Sequence, residues 1–300
     1  MVMLSYFSHI YAQSNSQIEA QARWHINYGH YLIEVGKYLE ALEYFDTAFD
    51  LSSTSATITD ALSAKANLLA LYLKAQAIAA RTYALYQIEH RKTWSYDMVD
   101  NEGDQVYGGV NREHSKCTQA VNATKGILLS KNKRPILAMY SANSGGFTAS
   151  AKAIFNLPNK SYLIAQEDLY SLKGKMAYWK RTYTARQIET ALEKKGIYVK
   201  GIKNIRASSF GPSGRVLRVK IDDRNDVRIF RTRTTLKRAL KLPEILFKIK
   251  KSGDTYIFNG NGYGHGVGYS QWGGAIMGES YKYADILEFY YPGCKLITVW

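Results

Sequence analysis

Residues 260–272 read Gly260-Asn261-Gly262-Tyr263-Gly264-His265-Gly266-Val267-Gly268-Tyr269-Ser270-Gln271-Trp272, with glycine at every even position from 260 to 268. In an extended chain, this alternation places the glycines on one face and the larger side chains on the other. Because glycine weakens a strand, the pattern predicts that a neighbouring chain or a ligand approaches this backbone closely. His265, the sole histidine of the C-terminal half, lies at the centre of the segment.

Two common glycine motifs do not fit this segment. The dinucleotide-binding pattern Gly-x-Gly-x-x-Gly requires glycine at position 265 or 267, where the chain has His265 and Val267. The nucleophile elbow Gly-x-Ser-x-Gly fails because Trp272 occupies the last glycine position. The spacing therefore argues against a dinucleotide site and against a serine hydrolase.

Composition restricts the class of partner. The chain has 300 residues, 46% of them hydrophobic, and a formal charge of +15, which fits a globular protein with a sizeable core. Residues 171–250 contain 22 Lys and Arg against 6 Asp and Glu, a local balance of +16. This excess predicts an anionic partner: nucleic acid, an acidic membrane surface or a carboxylate-bearing wall polymer. No apolar run approaches the roughly 18 residues of a membrane span.

The N-terminal quarter predicts helices. Residues 1–14 begin with an uncharged stretch, which suggests a truncated secretory leader or, alternatively, a disordered or helix-leading N-terminus. Residues 15–56 predict a tetratricopeptide-like pair, whose small and aromatic positions are Tyr28, Gly29, Leu32, Gly36, Tyr38, Ala41, Phe45 and Ala48. One such unit cannot bury both of its faces, so we expect it to pack on a third helix over 58–86.

The remainder, residues 57–300, predicts a mixed, β-rich domain and an α+β fold overall. Strands are expected from about Thr118 through 124, over 126–129 and over 136–140, followed by a Ser/Gly loop over 141–148. Further expected elements are a helix over 184–195, strands over 202–208, 215–221, 245–250 and 254–259, a short helix over 234–240 and a helical region within 271–289.

Three separated motifs point to one family. They are Leu73-Lys74-Ala75-Gln76-Ala77-Ile78-Ala79-Ala80-Arg81-Thr82-Tyr83, then Tyr140-Ser141-Ala142-Asn143-Ser144-Gly145-Gly146-Phe147-Thr148, and then 262–273 of the glycine-rich segment. In this order, and followed by Ile286-Leu287-Glu288-Phe289-Tyr290-Tyr291-Pro292-Gly293, they resemble the SpoIID/LytB family of stage II sporulation protein D and amidase enhancers. The resemblance covers roughly residues 70–300.

The resemblance implies peptidoglycan as the ligand and an exported protein of the periplasm or cell envelope. Sporulation members of the family are lytic transglycosylases, and amidase-enhancer members modify the action of a wall amidase. The cationic surface would attract the carboxylates of murein. The residues that would line a glycan groove, carried over by motif, are Lys74, Gln76, Arg81, Tyr83, Tyr140, Ser144, Gly145, His265, Ser270 and Gln271.

The chain departs from the family at the catalytic acid. A lytic transglycosylase needs a carboxylic acid to protonate the glycosidic oxygen. The family's glutamate precedes the lysine matched to Lys74 by eleven residues, where this chain has Ser63. Asp60 is the nearest upstream carboxylate and is the candidate substitute. Catalysis and a non-catalytic, amidase-enhancing or adaptor role therefore both stay open.

No metal or other cofactor is predicted. Some sporulation members hold zinc through Cys and His in the loop after the first helix, but this loop has no cysteine before Cys117. His90 and His114 alone are more typical of surface residues than of a metal site. Besides glycan strands, a wall amidase bound through the helical repeat is the predicted partner. The competing class is a basic nucleic-acid-binding protein, although no nucleic-acid-binding module is recognisable.

Overall fold

The computed structural model describes residues 2–34, 38–51 and 54–299. It has an α+β fold in which helices precede a β-rich region, as predicted. The helices are α1 (Val2–Glu34), α2 (Tyr38–Leu51), α3 (Ser55–His90), α4 (Ser115–Ala123), α5 (Ala151–Phe155), α6 (Ala185–Glu193), α7 (Leu236–Leu240), α8 (Gln271–Met277) and α9 (Tyr283–Tyr290). None of the described helices has the length and apolar character required to cross a membrane.

The strands form three three-stranded sheets and two short pairs. They are β1 (Ile127–Lys131), β2 (Arg134–Pro135), β3 (Tyr140–Ser141), β4 (Gly146–Phe147), β5 (Glu167–Asp168), β6 (Tyr178–Thr184), β7 (Asn204–Phe210), β8 (Val216–Asp222), β9 (Val227–Arg231), β10 (Phe247–Ser252), β11 (Thr255–Asn261), β12 (Tyr269–Ser270) and β13 (Lys295–Thr298). The sheet orders are β13-β1-β2, β10-β11-β6 and β7-β8-β9, with pairs β12-β3 and β4-β5.

The predicted N-terminal helices are present. Gly29 of α1 allows α2 to approach closely, because a Cβ at this position would lie 2.4 Å from the Phe45 ring. Phe45 and Ala48 of α2 are fully buried. Residues 2–14, the predicted leader, are the first part of α1. Gly36, the predicted turn residue, lies outside the described residues, and the tetratricopeptide assignment stays a prediction.

Helix α3 connects the helical region to the rest of the chain. Its 36 residues span about 54 Å at 1.5 Å per residue. Thr54 caps its N-terminus by accepting a hydrogen bond from the Thr57 amide. The C-terminal half inserts Ala75, Ile78 and Ala79 into the main core, where all three are fully buried. The small alanines in this half let neighbouring elements pack close to the helix backbone.

Two hydrophobic cores support the β-rich region. The first surrounds α3 and includes Ile78, Leu129, Ile136, Val267, Tyr269, Ile286 and Tyr291. The second lies between α6, α7 and the sheets β7-β8-β9 and β10-β11-β6, and includes Ile188, Leu192, Val216, Val219, Leu236, Tyr256 and Phe258. Each large apolar side chain buried in this way stabilises the fold by about 1.5–3 kcal/mol. Ile154 of α5 packs against both cores.

The structure confirms the predicted start of α6 and corrects the prediction for residues 118–124. Thr184 and Gln187 form the predicted capping box at the start of α6. The strand expected from about Thr118 through 124 is instead the C-terminal part of α4. Arg81 donates hydrogen bonds to the Val121 and Thr124 carbonyls near the end of α4, so a tertiary contact supports this helix. The sequence prediction also omitted β6 and β9 and treated α8 and α9 as one region.

The glycine-rich segment is not a regular extended strand. Strand β11 ends at Asn261, and the following even-numbered glycines up to 268 all adopt positive φ. The expected close approach is confirmed, because a Cβ at Gly266 would lie 1.9 Å from Arg215 Nη2. A Cβ at Gly268 would lie 2.1 Å from the Met139 carbonyl oxygen. The segment therefore needs glycine for both backbone conformation and packing.

Candidate functional site

The three sequence motifs meet in space. Strands β3 and β12 pair in parallel and place Tyr140 beside Tyr269 and Ser141 beside Ser270. Helix α3 joins this pair through Gln76, whose Oε1 lies 3.3 Å from Gln271 Nε2. A parallel pair of this kind can only form between segments that are distant in sequence. The fold thus assembles one site from three separated parts of the chain.

A pocket of about 480 Å³, which we call the central pocket, lies beside this junction. Its lining residues are Tyr83, Glu102, Gly103, Asp104, Met139, Tyr140, Phe155, Arg233, Arg238 and His265. Three of the motif residues, Tyr83, Tyr140 and His265, are therefore brought together. The two carboxylates and two arginines in this lining were not predicted as site residues.

Two tyrosines form one wall of the central pocket. The rings of Tyr83 and Tyr140 meet edge to face, with centroids 6.4 Å apart. The Tyr83 hydroxyl accepts a hydrogen bond from Gln87 and lies 3.1 Å from Asp104 Oδ1, to which it donates. Burial raises the pKa of both phenols above the ordinary value. Both side chains are therefore neutral at physiological pH and offer apolar ring surface and polar hydroxyls.

His265 lines the same pocket, and its imidazole ring is neutral near neutral pH. Its Nδ1 accepts a hydrogen bond from the Val267 amide at 2.9 Å, which places the proton of the neutral ring on Nε2. Burial, aided by the positive charges of Arg233 and Lys237, lowers the pKa of His265 to about 3, and a hydrogen bond with the Tyr140 backbone partly opposes this lowering. The ring packs edge to face with Phe155 at 5.3 Å. His265 cannot supply positive charge near neutral pH.

The two carboxylates of the central pocket differ in environment. Asp104 is held by Arg91, whose guanidinium donates at 2.6 and 2.7 Å to its two oxygens. This hydrogen bonding to Arg91 lowers the pKa of Asp104, so its carboxyl group is ionised near neutral pH. Glu102 lies at the exposed rim. Sequence reasoning missed both carboxylates, because nothing in the spacing of the surrounding loop shows that it folds back against α3.

The opposite side of the central pocket is basic. Arg233 stacks over the Phe155 ring at 4.2 Å, and Arg238 projects from α7. Lys237 donates to the carbonyl oxygen of Gly264 in the glycine-rich segment. Burial lowers the pKa of Arg233 and of Lys237. The charge excess over 171–250 indicated an anionic partner, but only the folded chain shows which cations reach the pocket.

Four other motif residues have structural partners. Ser144 is fully buried and its hydroxyl lies 2.6 Å from Asp168. Gly145 packs so closely that a Cβ would lie 2.7 Å from the Asn261 carbonyl carbon. Ser270 caps α8 by accepting from the Gly273 amide. Arg81 binds carbonyls around α4, as described above. Lys74 is half-buried on α3.

Comparisons with known proteins identify related sequences. The family model "Stage II sporulation protein" (SpoIID) matches residues 60–130, and a model described as "Domain of unknown function (DUF8618)" matches residues 130–268. The chain is 29% identical over 249 residues to stage II sporulation protein D of Bacillus subtilis, covering 75% of this chain and 68% of that protein. It is 29% identical over 277 residues to the amidase enhancer of the same organism, covering 75% and 38%.

The chain belongs to the SpoIID/LytB family. The chain is also 33% identical over 227 residues to an uncharacterized protein of Brachyspira hyodysenteriae. The match covers 75% of this chain and 61% of that protein. The chain thus spans less than two thirds of the length of this relative and of the amidase enhancer.

Asp60, the predicted substitute for a catalytic acid, lies on α3. Helix α3 runs without interruption through this region, which leaves no room for the slippage that would move Asp60 to position 63. Asp60 is exposed and lies 23 residues before Tyr83, or about 35 Å along the helix. The structure does not bring Asp60 to the central pocket. The side chain of Ser63 lies outside the described residues.

The two histidines considered as metal ligands, His90 and His114, have local partners. His90 Nδ1 lies 2.7 Å from the Tyr86 carbonyl oxygen, and His114 caps α4 by accepting from the Lys116 amide. Within the part of the chain that the structure describes, no group of three or more His, Cys, Asp or Glu residues could hold a metal ion.

Proposed function

We propose that this protein binds glycan strands of the bacterial cell wall at the central pocket and acts in wall remodelling in the cell envelope. The observation that carries the proposal is the lining of the pocket: Tyr83, Tyr140 and His265, all from family motifs, stand between acidic and basic side chains. A sugar ring offers apolar faces and many hydroxyls. It is recognised by aromatic surface together with hydrogen-bond donors and acceptors, which this pocket combines.

The basic side of the pocket supports an acidic polymer over a neutral one. Arg233 and Arg238 line the central pocket, and Arg238 also lines a neighbouring surface pocket with Arg186, Lys194, Lys195 and Lys241. Positive charge therefore continues beyond the central pocket along the surface. A continuous positive surface of this kind attracts several successive units of a negatively charged polymer. Cell-wall glycan carries carboxylates at regular intervals and fits this distribution.

If the pocket also cleaves glycan, Glu102 is the acid that we propose for the reaction. Among the described residues that line the pocket, Glu102 is the carboxylate without an arginine partner, whereas Asp104 is kept ionised by Arg91. Protonated Glu102 would give its proton to the glycosidic oxygen. The C6 hydroxyl of the same sugar would then attack C1 and return its proton to the Glu102 carboxylate. The product would be a 1,6-anhydro sugar end.

One experiment separates these possibilities. Purified protein is incubated with nuclease-treated sacculi and, separately, with glycan strands from which the peptides have been removed. Co-sedimentation that persists after nuclease treatment would support wall binding, and anhydro-muramyl ends would support cleavage. A folded protein that sediments with neither material would contradict the proposed function. Salt-sensitive binding to DNA of similar or greater strength would favour the nucleic-acid alternative.

An adaptor role is a second candidate, favoured by exposed aromatic residues on the N-terminal helices. Trp24 and Tyr31 of α1 are 53% and 52% exposed, and Phe49 of α2 is 43% exposed. Aromatic residues are enriched at protein interfaces. The double variant Trp24→Ala/Tyr31→Ala should lose stimulation of a wall amidase and retain sacculus binding. Tyr198→Ala, which removes an exposed aromatic residue elsewhere, is the control. Unchanged stimulation in the double variant would reject this role.

A further inference from the structure

A second pocket of about 260 Å³ lies next to the central pocket and contains three arginines. Its lining residues are Ala153, Ile154, Phe155, Asn156, Leu217, Arg218, Arg231, Arg233, Thr234 and Ile245. We call it the arginine pocket, after Arg218, Arg231 and Arg233. Arg218 on β8 and Arg231 on β9 are direct cross-strand partners. Like charges placed opposite each other destabilise a sheet, so an anion bound between these two arginines would stabilise the pair.

The carboxylates near this sheet are bound to other groups. On the same sheet, Arg206 pairs with Asp222 at 2.6 Å and Arg228 pairs with Asp223. Glu244 is buried, lies 3.7 Å from Arg215 and accepts from the Ile245 amide. The lining of the arginine pocket itself includes neither Asp nor Glu. Its three arginines therefore have no carboxylate partner within the lining of the pocket, which leaves room for a ligand anion.

The arginine pocket adjoins the central pocket. Phe155 and Arg233 line both of them, and Arg233 is fixed in place by stacking over the Phe155 ring. Phe155 in turn touches His265, which is a wall of the central pocket. A ligand that occupies the central pocket can therefore place a substituent in the arginine pocket. Since a water molecule occupies about 30 Å³ in the liquid, the volume suits a short side group rather than a peptide.

We propose that the arginine pocket binds a carboxylate substituent of the glycan held in the central pocket, such as the lactyl carboxylate of muramic acid. The proposal rests on the proposed function. Arginine binds carboxylates through two parallel hydrogen bonds, and three arginines around one small pocket favour an anion over a hydroxyl.

The test compares three soluble ligands of matched length at fixed ionic strength. They are denuded glycan strands, the same strands with their carboxylates reduced to alcohols, and neutral chitin oligosaccharides. Titration calorimetry should show that the wild-type protein binds the acidic strands at least about tenfold more tightly than the reduced strands, as expected for hydrogen bonds to a charged group. The double variant Arg218→Gln/Arg231→Gln should lose this preference and bind the reduced strands as the wild type does.

Arg181→Gln is the matched control, because Arg181 is an exposed arginine on β6 that lines neither pocket. Its preference for acidic strands should be unchanged. Arg218 and Arg231 are exposed, so their loss should not prevent folding, which thermal unfolding checks. The variant Arg218→Lys/Arg231→Lys keeps the charge and should recover only part of the preference, because lysine lacks the paired donors.

The outcomes distinguish this proposal from the proposed function. Equal wild-type affinity for acidic and reduced strands would overturn the carboxylate subsite and leave glycan binding intact. Binding of none of the three ligands would overturn the proposed function itself. An equal loss of preference in Arg181→Gln would assign the effect to overall charge and overturn the proposal. Inorganic phosphate that displaces the acidic strands at a lower concentration than lactate would reassign the pocket to phosphate.

Discussion

Arg91 clamps Asp104 with two hydrogen bonds, from Nη1 to Oδ2 at 2.6 Å and from Nη2 to Oδ1 at 2.7 Å. Arg91 follows directly after α3, and Asp104 lies thirteen residues later in a loop. The pair folds this loop back against the helix, where Asp104 also accepts from the Tyr83 hydroxyl. It thereby places Glu102, at the exposed rim, beside the tyrosine wall of the central pocket.

Breaking the Arg91–Asp104 pair should destabilise the protein in a pH-dependent way. Asp104→Asn should reduce the free energy of unfolding at pH 7 by about 2–3 kcal/mol, because the partly buried Arg91 guanidinium loses its charged partner. The pKa of Asp104 is lowered in the folded state, so its stabilising contribution is complete above pH ~4 and is lost as the pH falls through the folded pKa. Urea unfolding at pH 7, 4 and 3 measures this effect. Asp100→Asn, an exposed carboxylate in the same loop, should change little.

Gly268→Ala should be far more destabilising than alanine at an open glycine. The added Cβ would lie 2.1 Å from the Met139 carbonyl oxygen, and φ at this position is +71°. Steric conflict and backbone strain together should cost about 3 kcal/mol or more. Gly253→Ala is the control, since φ there is +59° with no atom within 4 Å of the added Cβ, and it should cost only about 1 kcal/mol. Similar losses of stability in both variants would contradict the packing argument.

His265 should stay neutral well below its ordinary titration range. Its pKa is lowered to about 3 in the folded protein by burial and by the nearby Arg233, Lys237 and Arg215. As the pH falls below about 6.5, His265 becomes protonated in the unfolded chain but stays neutral in the folded protein. This group should therefore reduce stability by about 1.4 kcal/mol per pH unit between pH ~6.5 and the folded pKa. NMR of the ring should show no protonation at pH 5. An ordinary titration near pH 6.5 in the folded protein would refute this assignment.

Glu102→Gln should separate glycan binding from glycan cleavage. Removal of the general acid should reduce formation of anhydro ends by about 10²–10⁴-fold, while binding to denuded strands should change little because the side chain lies at the rim. The assay is product analysis beside co-sedimentation. Glu167→Gln, another exposed glutamate outside the pocket, should retain full activity. If the wild-type protein makes no anhydro ends, Glu102 has no catalytic role and the pocket serves binding only.

Much of the fold was predictable from local patterns. A long segment with few helix breakers indicated α3, and the capping-box spacing at Thr184 and Gln187 indicated α6. The alternation over 215–221 indicated β8. Helix α4 was missed because its stability includes hydrogen bonds from Arg81, forty residues earlier in the chain. Such a contact leaves no periodic signal in the sequence.

The candidate site was predictable only in part. Motif spacing selected Tyr83, Tyr140 and His265, which do meet in the central pocket. The same spacing selected Ser144, which is buried against Asp168. It also directed attention to Asp60, which a continuous helix holds about 35 Å away. A sequence motif shows which residue types are present. It does not show which side chains point into the pocket and which point into the core.

By itself, the sequence determined the family, the order of the helical and β-rich regions and the requirement for glycine in residues 260–268. Only the tertiary structure decided that Glu102, Arg233 and His265 surround one pocket and that Arg218 faces Arg231 across two strands. The reason is physical. Glycine patterns and apolar periodicity reflect local backbone geometry, which the chain specifies over a few residues. The position of a charge depends on contacts between segments that are distant in sequence, and these exist only after the chain has folded.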